Sequence, residues 1–213
     1  MRYIVLDTET TGLDPDDGHK IIEIGCVEIF NRAVTDNTFH KYINPQREID
    51  VEASKVHGLT SSNLKDKPLF SDIYDELEKY ISDSPLIIHN APFDMGFLRK
   101  EYSCLKNKVN FINNKVIDSL KLARKISPGK RNTLDSLCER YFIDNSDRTL
   151  HGALLDARLL AFVYLKMTIG QNNFDNLTSE QNKKIINTKH ETDNYKIISA
   201  NNEDIELHEN YFK

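Results

Sequence analysis

Short apolar runs separated by polar turns predict the strands of a sheet in the first part of the chain. Residues 3–6 form a continuous apolar run, which is typical of a buried central strand. Ile21–Phe30 and residues 38–43 predict a second and a third strand. Because the connections between these runs are short, we expect the three strands to form an antiparallel meander.

Helical spacing then alternates with further apolar runs. Between residues 71 and 82 the apolar side chains recur every three or four positions, which predicts an amphipathic helix. Leu86–Ile88 is a continuous apolar run like residues 3–6 and predicts a fourth strand, which is also buried. Residues 116–117 predict a short fifth strand.

Two more helices complete the pattern. One is capped at Asn132 or Thr133, and the last runs from near Gly152 to about Met167. Three antiparallel strands followed by helix-connected strands indicate a mixed α/β sheet with helices on both faces.

The composition changes after Gly170 and divides the chain into three parts. Residues 1–170 contain every strand and helix predicted above. Residues 171–194 are polar, with few apolar side chains, which is typical of a flexible linker. Residues 195–213 regain strand and helix character, and an element so short cannot bury its apolar side chains alone. We therefore expect residues 195–213 to dock onto another part of the chain or onto a partner.

Four carboxylates and one histidine stand close to the apolar runs. Acidic side chains there are costly to bury unless a cation compensates them, and a divalent metal is the usual compensation. Oxygen ligands favour Mg²⁺ or Mn²⁺, and a histidine supplies a base that titrates near neutral pH. The pattern predicts a phosphodiesterase with two divalent cations, whose ligands are the four carboxylates and whose general base is the histidine. These residues are Asp7, Glu9, Asp94, Asp156 and His151.

The spacing within this set predicts part of its geometry. Side chains alternate along a strand, so Val5, Asp7 and Glu9 share one face. His151 and Asp156 would point about 140° apart in a regular helix, since each residue turns about 100°. We therefore expect His151 to precede the last helix and Asp156 to project from its first turns. Asp118, which also follows a strand, is predicted to cap a helix or turn.

Composition excludes several classes of protein. The three cysteines are scattered and predict neither a disulfide framework nor a zinc site. No apolar stretch reaches the roughly 20 residues of a membrane span, and the N-terminal apolar run is too short for a signal peptide. We expect a cytoplasmic protein that does not bind a membrane.

The charge of the chain at first argues against a nucleic-acid substrate. The formal net charge is −5 over 213 residues, whereas phosphate affinity normally comes from Lys and Arg. Bound cations or a partner that delivers the substrate would resolve this conflict. The basic segment at residues 121–131 is a local exception, and a solvated helix face is an equally good interpretation of it.

The motifs around the carboxylates resemble a known family. Segments 7–13, 89–94 and 151–157 resemble the three motifs of the DEDDh superfamily of 3′→5′ exonucleases, and they are more similar still to the epsilon, or proofreading, subunits of bacterial DNA polymerase III. The resemblance extends over residues 1–170. It implies a ribonuclease H-like fold with a mixed five-stranded sheet of three antiparallel and two parallel strands.

The resemblance also implies roles that the residues alone do not predict. The metal ligands of the family correspond to the four carboxylates, and its general base corresponds to His151. Glu52 and His57 correspond to residues that line the pocket for the terminal nucleotide, together with Asp7, Glu9 and Asp156. Residues 195–213 are similar to the segment that binds the polymerase catalytic subunit. Only residues 171–174 stand where a sliding-clamp peptide is expected, so clamp binding is expected to be weak or absent.

The leading hypothesis is an editing subunit that removes mispaired 3′-terminal nucleotides of DNA as 5′-monophosphates. One alternative is a free-standing exonuclease that acts on the 3′ ends of RNA or tRNA. The other is a scaffold subunit that stabilises a polymerase and whose nuclease is dispensable.

Overall fold

The computed structural model describes residues 1–105, 113–146, 148 and 150–169. They form a five-stranded mixed sheet with the strand order β3-β2-β1-β4-β5. The strands are β1 (Arg2–Thr10), β2 (Ile21–Phe30), β3 (Ala33–Tyr42), β4 (Leu86–Ile88) and β5 (Val116–Asp118).

Strand pairing follows the predicted topology. The strands β1, β2 and β3 pair antiparallel with their neighbours. On the other side of β1, β4 pairs parallel with β1, and β5 pairs parallel with β4. Asn31 and Arg32, both at positive φ, connect β2 to β3 in the conformation of a two-residue turn that matches the twist of a hairpin. The predicted fold class, a mixed sheet of three antiparallel and two parallel strands, is confirmed.

Seven α-helices and one 3₁₀ turn (Pro15–Asp17) accompany the sheet within the described residues. The helices are α1 (Val51–His57), α2 (Ser61–Leu64), α3 (Phe70–Ile81), α4 (Ala91–Ser103), α5 (Ser119–Ile126), α6 (Leu134–Arg140) and α7 (Ala153–Met167).

The two faces of the sheet bury separate cores. Ile4 and Leu6 of β1 pack with apolar residues of α3 and α4. Val5 points to the opposite face and packs with residues of α6 and α7. Since Asp7 and Glu9 follow Val5 at intervals of two, they lie on the face that α7 covers.

Several boundaries differ from the sequence predictions. The third strand begins at Ala33, five residues before the predicted start, because its outer part is an exposed edge with little apolar signal. Helix α4 was not predicted, although its buried residues recur at helical spacing, and it places Asp94 in the first turn of a helix. Asp118 caps α5 as expected, accepting hydrogen bonds from the N–H groups of Leu120 and Lys121.

The remaining expectations concern the cysteines, membrane-spanning helices and the C-terminal part of the chain. The thiols of Cys26, Cys104 and Cys138 are all free. Of the helices in the described ranges, none has the length and apolar character needed to cross a bilayer. The proposed linker at 171–194 and the docking segment at 195–213 lie outside the described residues.

Candidate active site

The predicted carboxylates meet in one cleft of about 710 Å³. Asp7 and Glu9 come from β1, Asp94 from the first turn of α4, and Asp156 from the first turn of α7. His151 lines the same cleft. Residues that are far apart in the sequence therefore form a single acidic wall.

A glycine allows α7 to approach the sheet closely enough to complete this wall. Gly25 pairs with Asp7 across the β1–β2 ladder. A Cβ atom at Gly25 would lie 2.2 Å from the backbone nitrogen of Leu154 and 2.4 Å from the carbonyl oxygen of Ala153. Only glycine fits at this position, so the first turn of α7, which carries Asp156, lies directly against β2 beside Asp7.

His151 occupies the position that its spacing predicted. It precedes α7, which begins at Ala153 after the N-cap Gly152. Its backbone N–H donates to the carbonyl of Val56 in α1 at 3.1 Å, and its side chain is 44% exposed. One ligand atom each from Glu9, His151 and Asp156 lies within 4.8 Å of the other two. The imidazole thus reaches both the carboxylates and solvent.

Burial and mutual repulsion perturb the carboxylates. Burial, with the charges of neighbouring carboxylates, raises the pKa of Glu9 to about 8. The same causes raise the pKa of Asp7 well above its usual range. Burial raises the pKa of Asp94 to about 7, although the hydroxyl of Thr8 donates to its Oδ1 at 2.7 Å and opposes the shift. Such raised values indicate a site in which these charges lack sufficient compensation from protein groups.

The donor set fits hard divalent cations. Four carboxylates supply oxygen ligands, and the cluster of Glu9, His151 and Asp156 has donor atoms close enough to share one ion. A cation at this position would oppose both the burial and the repulsion that raise the carboxylate pKa values.

Arg148 is the principal site residue to which sequence reasoning gave no role. Its guanidinium donates two parallel hydrogen bonds to Asp156, at 2.6 and 2.7 Å. It also donates to Asp135 at 2.6 Å and to Nδ1 of His151 at 2.9 Å. The side chain is only 6% exposed. The signal available in the sequence was a cation three residues before His151, next to carboxylates that need one.

The structure does not place Glu52 or His57 among the residues that line the cleft. The Glu52 side chain is exposed and forms an ion pair with Lys55 at 2.6 Å. His57 is buried, its Nδ1 accepts from the N–H of Leu59, and burial lowers its pKa. Their helix α1 nevertheless contacts the site, because its Val56 carbonyl accepts from His151. Their roles toward the terminal nucleotide stay predictions.

Comparison with known proteins identifies relatives over most of the chain. The family description Exonuclease (RNase_T) matches residues 4–164. The DNA polymerase III subunit epsilon of Buchnera aphidicola subsp. Schizaphis graminum is 51% identical and aligns with 100% of this chain and 96% of its own length. The subunit of the same name from Escherichia coli K12 is 49% identical, with 98% and 90% of the two chains covered.

A solved structure has the same fold. It is titled exonuclease X in complex with 5′ overhanging duplex DNA and superposes with a TM-score of 0.64 at 24% identity. The superposition covers 80% of this chain and 93% of the other. At this identity the likeness supports the architecture of the sheet and helices.

Proposed function

The chain belongs to the exonuclease family, among the epsilon subunits of DNA polymerase III, and we propose that it removes mispaired nucleotides from the 3′ ends of DNA. It is a proofreading 3′→5′ exonuclease. Each turnover hydrolyses the terminal phosphodiester and releases a nucleoside 5′-monophosphate. The site must therefore neutralise a phosphodiester and supply a proton acceptor.

The observation that carries the proposal is the meeting of four carboxylates with one half-exposed histidine in a single cleft. Asp7, Glu9 and Asp156 would hold one divalent cation, and Asp7 with Asp94 a second. Mg²⁺ and Mn²⁺ both suit these oxygen donors. When bound, such a pair neutralises phosphate charge and makes water a better nucleophile.

His151 is the proposed general base. Its exposed ring adjoins Glu9 and Asp156, so it can take a proton from water at the carboxylates and pass it to solvent. In the described arrangement its Nδ1 accepts from Arg148, so the neutral ring carries its proton on Nε2. Accepting a proton at Nδ1 therefore requires the contact with Arg148 to open.

Glu52 and His57 are proposed to contact the terminal nucleotide. Support comes from the hydrogen bond between the Val56 carbonyl and the backbone of His151, which ties α1 to the site. Because Glu52 and His57 are five residues apart on α1, they would point about 140° apart in a regular helix and would approach the nucleotide from different directions.

The polymerase is the proposed protein partner. Residues 195–213 would bind its catalytic subunit, and residues 171–194 would act as a flexible tether for the exonuclease domain at 1–170. The protein would then work in the cytoplasm, at the replicating DNA. Truncation after Gly170 is expected to abolish co-elution with the polymerase subunit and to leave hydrolysis of free 3′ ends intact. Co-elution that survives the truncation would contradict the tether.

The proposed function is tested by comparing the rates at which mispaired and paired 3′ ends are hydrolysed. With Mg²⁺, a primer with a mispaired terminus should lose its 3′ nucleotide faster than a fully paired primer, and the product should be a 5′-monophosphate. A matched RNA oligonucleotide should react more slowly than DNA. Faster hydrolysis of RNA would favour the free-standing RNA exonuclease instead. If the protein hydrolysed neither substrate, but its removal destabilised the polymerase, the scaffold would be favoured.

A further inference from the structure

One wall of the active-site cleft carries positive charge that the proposed chemistry does not use. Arg124 of α5 and the neighbouring pair Lys130 and Arg131 line the same cleft as the carboxylates. These three residues are called the basic wall below. They stand out in a chain whose net charge is −5.

The side chains of the basic wall are exposed, and within the described ranges none of them forms an ion pair. Lys121, on the same helix as Arg124, differs because its ammonium lies 3.8 Å from the carboxylate of Asp118. Cations without a protein counter-charge remain available for a ligand. If these three cations only formed a solvated surface, they would not all need to line the same cleft.

The loop that carries Lys130 and Arg131 is held in place by its neighbours. Arg140 donates to the side-chain oxygen of Asn132 at 2.8 Å and to the carbonyl of Arg131. Asn132 in turn donates to the carbonyl of Lys130 at 2.9 Å. The charged ends are therefore presented from a fixed backbone, which lowers the entropic cost of binding.

We propose that the basic wall binds the phosphates of the nucleotides that precede the scissile phosphodiester. This rests on the proposed function, since the terminal phosphodiester would then lie at the carboxylate site, with divalent cations as its counter-charge, and the strand would leave the cleft past Lys130 and Arg131. Contacts to phosphates position any sequence equally, as an editing enzyme requires. The basic wall also supplies the phosphate affinity that the acidic composition otherwise lacks.

The test compares a substrate with upstream phosphates and one without. The probes are an oligothymidylate and the p-nitrophenyl ester of thymidine 5′-monophosphate. The variant is Lys130→Gln/Arg131→Gln, and the matched control is Lys121→Gln/Lys125→Gln, which removes the same charge from the neighbouring α5. Melting curves establish that both are folded.

The ratio of kcat/KM for the oligonucleotide to kcat/KM for the ester should fall by about tenfold or more in the basic-wall variant. The control should keep the ratio of the original protein. For the oligonucleotide, the slope of log(kcat/KM) against the logarithm of the salt concentration should become shallower by about 0.7 for each phosphate that the variant no longer binds. An unchanged ratio, or an equal fall in the control, would overturn the proposal. If the original protein hydrolysed neither probe, the proposed function itself would fail.

Discussion

Arg148 binds Asp156 through two parallel hydrogen bonds, from Nε to Oδ1 at 2.6 Å and from Nη2 to Oδ2 at 2.7 Å. The same guanidinium donates to His151, so one buried cation orients both a proposed metal ligand and the proposed base. Asp135 fixes the guanidinium from the far side. The positions of a proposed metal ligand and of the proposed base therefore both depend on this one residue.

Replacing Arg148 by Lys should lower kcat by about 10–100-fold and raise the Mg²⁺ concentration for half-maximal activity. An ammonium keeps the charge but cannot form the paired bonds, and loss of such supporting interactions has effects of this size at metal sites. Steady-state kinetics with a Mg²⁺ titration measures both quantities. Arg158→Lys, on α7 but outside the cleft, is the control. Arg148→Lys with normal kcat and normal Mg²⁺ dependence would show that the paired hydrogen bonds are dispensable.

Replacing Gly25 by Ala should displace the first turn of α7 and with it Asp156. The added methyl would lie 2.2 Å from backbone atoms that cannot rotate away. We expect a loss of about 1–3 kcal/mol of stability from overpacking and a fall in kcat of about tenfold or more, because small displacements of reacting groups are costly. Thermal melts and kinetics check these effects.

Gly96→Ala is the matched control, since a Cβ at Gly96 meets only ordinary contact, 3.8 Å from Pro15. In helix α4 this change should be neutral or slightly stabilising. If Gly25→Ala behaved like Gly96→Ala, the close approach of α7 would not be what positions Asp156.

With divalent cations removed by a chelator, stability should fall as the pH rises from about 5.5 to about 8.5. The folded-state pKa of Glu9 is raised from 4.5 to about 8 and that of Asp94 from 3.8 to about 7. A raised folded-state value means that the stabilising contribution is complete below the unfolded value and is lost as the pH passes the folded value. A domain of this size should melt about 5 °C lower or more at the upper pH.

Adding Mg²⁺ at the upper pH should restore the melting temperature, because the cation replaces the lost protons as the counter-charge. Asp7→Asn removes one repelling charge and should flatten the pH dependence in chelator. A melting temperature that does not change across this pH range would mean that burial and mutual repulsion do not raise the pKa values of these carboxylates.

Replacing Thr8 by Val should make Mg²⁺ activation more sensitive to acid. The Thr8 hydroxyl lowers the pKa of Asp94 by donating to its charged form. Its loss raises that pKa further, so fewer molecules have an ionised Asp94 at about pH 7. The Mg²⁺ requirement should rise several-fold at about pH 7 and approach the original value at about pH 9. Thr8→Ser keeps the hydroxyl and should behave normally, whereas equal effects at both pH values would exclude this explanation.

Much of this architecture follows from the sequence because its periods are simple. Alternation along β1 placed Asp7 and Glu9 on one face, and helical geometry placed His151 outside the helix of Asp156. Helix α4 escaped prediction because its buried face includes the charged residues Asp94 and Glu101, which weaken the apolar pattern. The start of β3 did so because an edge strand needs few apolar residues. The role of Arg148 depends on distances between separate elements, which no local pattern encodes.

The proposed function requires the carboxylate cleft to hydrolyse DNA at its 3′ terminus. The most direct measurement is single-turnover release of a labelled 3′-terminal nucleotide from a mispaired primer in Mg²⁺, comparing the original protein with a folded Asp7→Ala variant. We expect chelator-sensitive release of the 5′-monophosphate and a loss of more than about a hundredfold in the variant. Release that survives the substitution within about tenfold, or that persists in chelator, would contradict the proposed function.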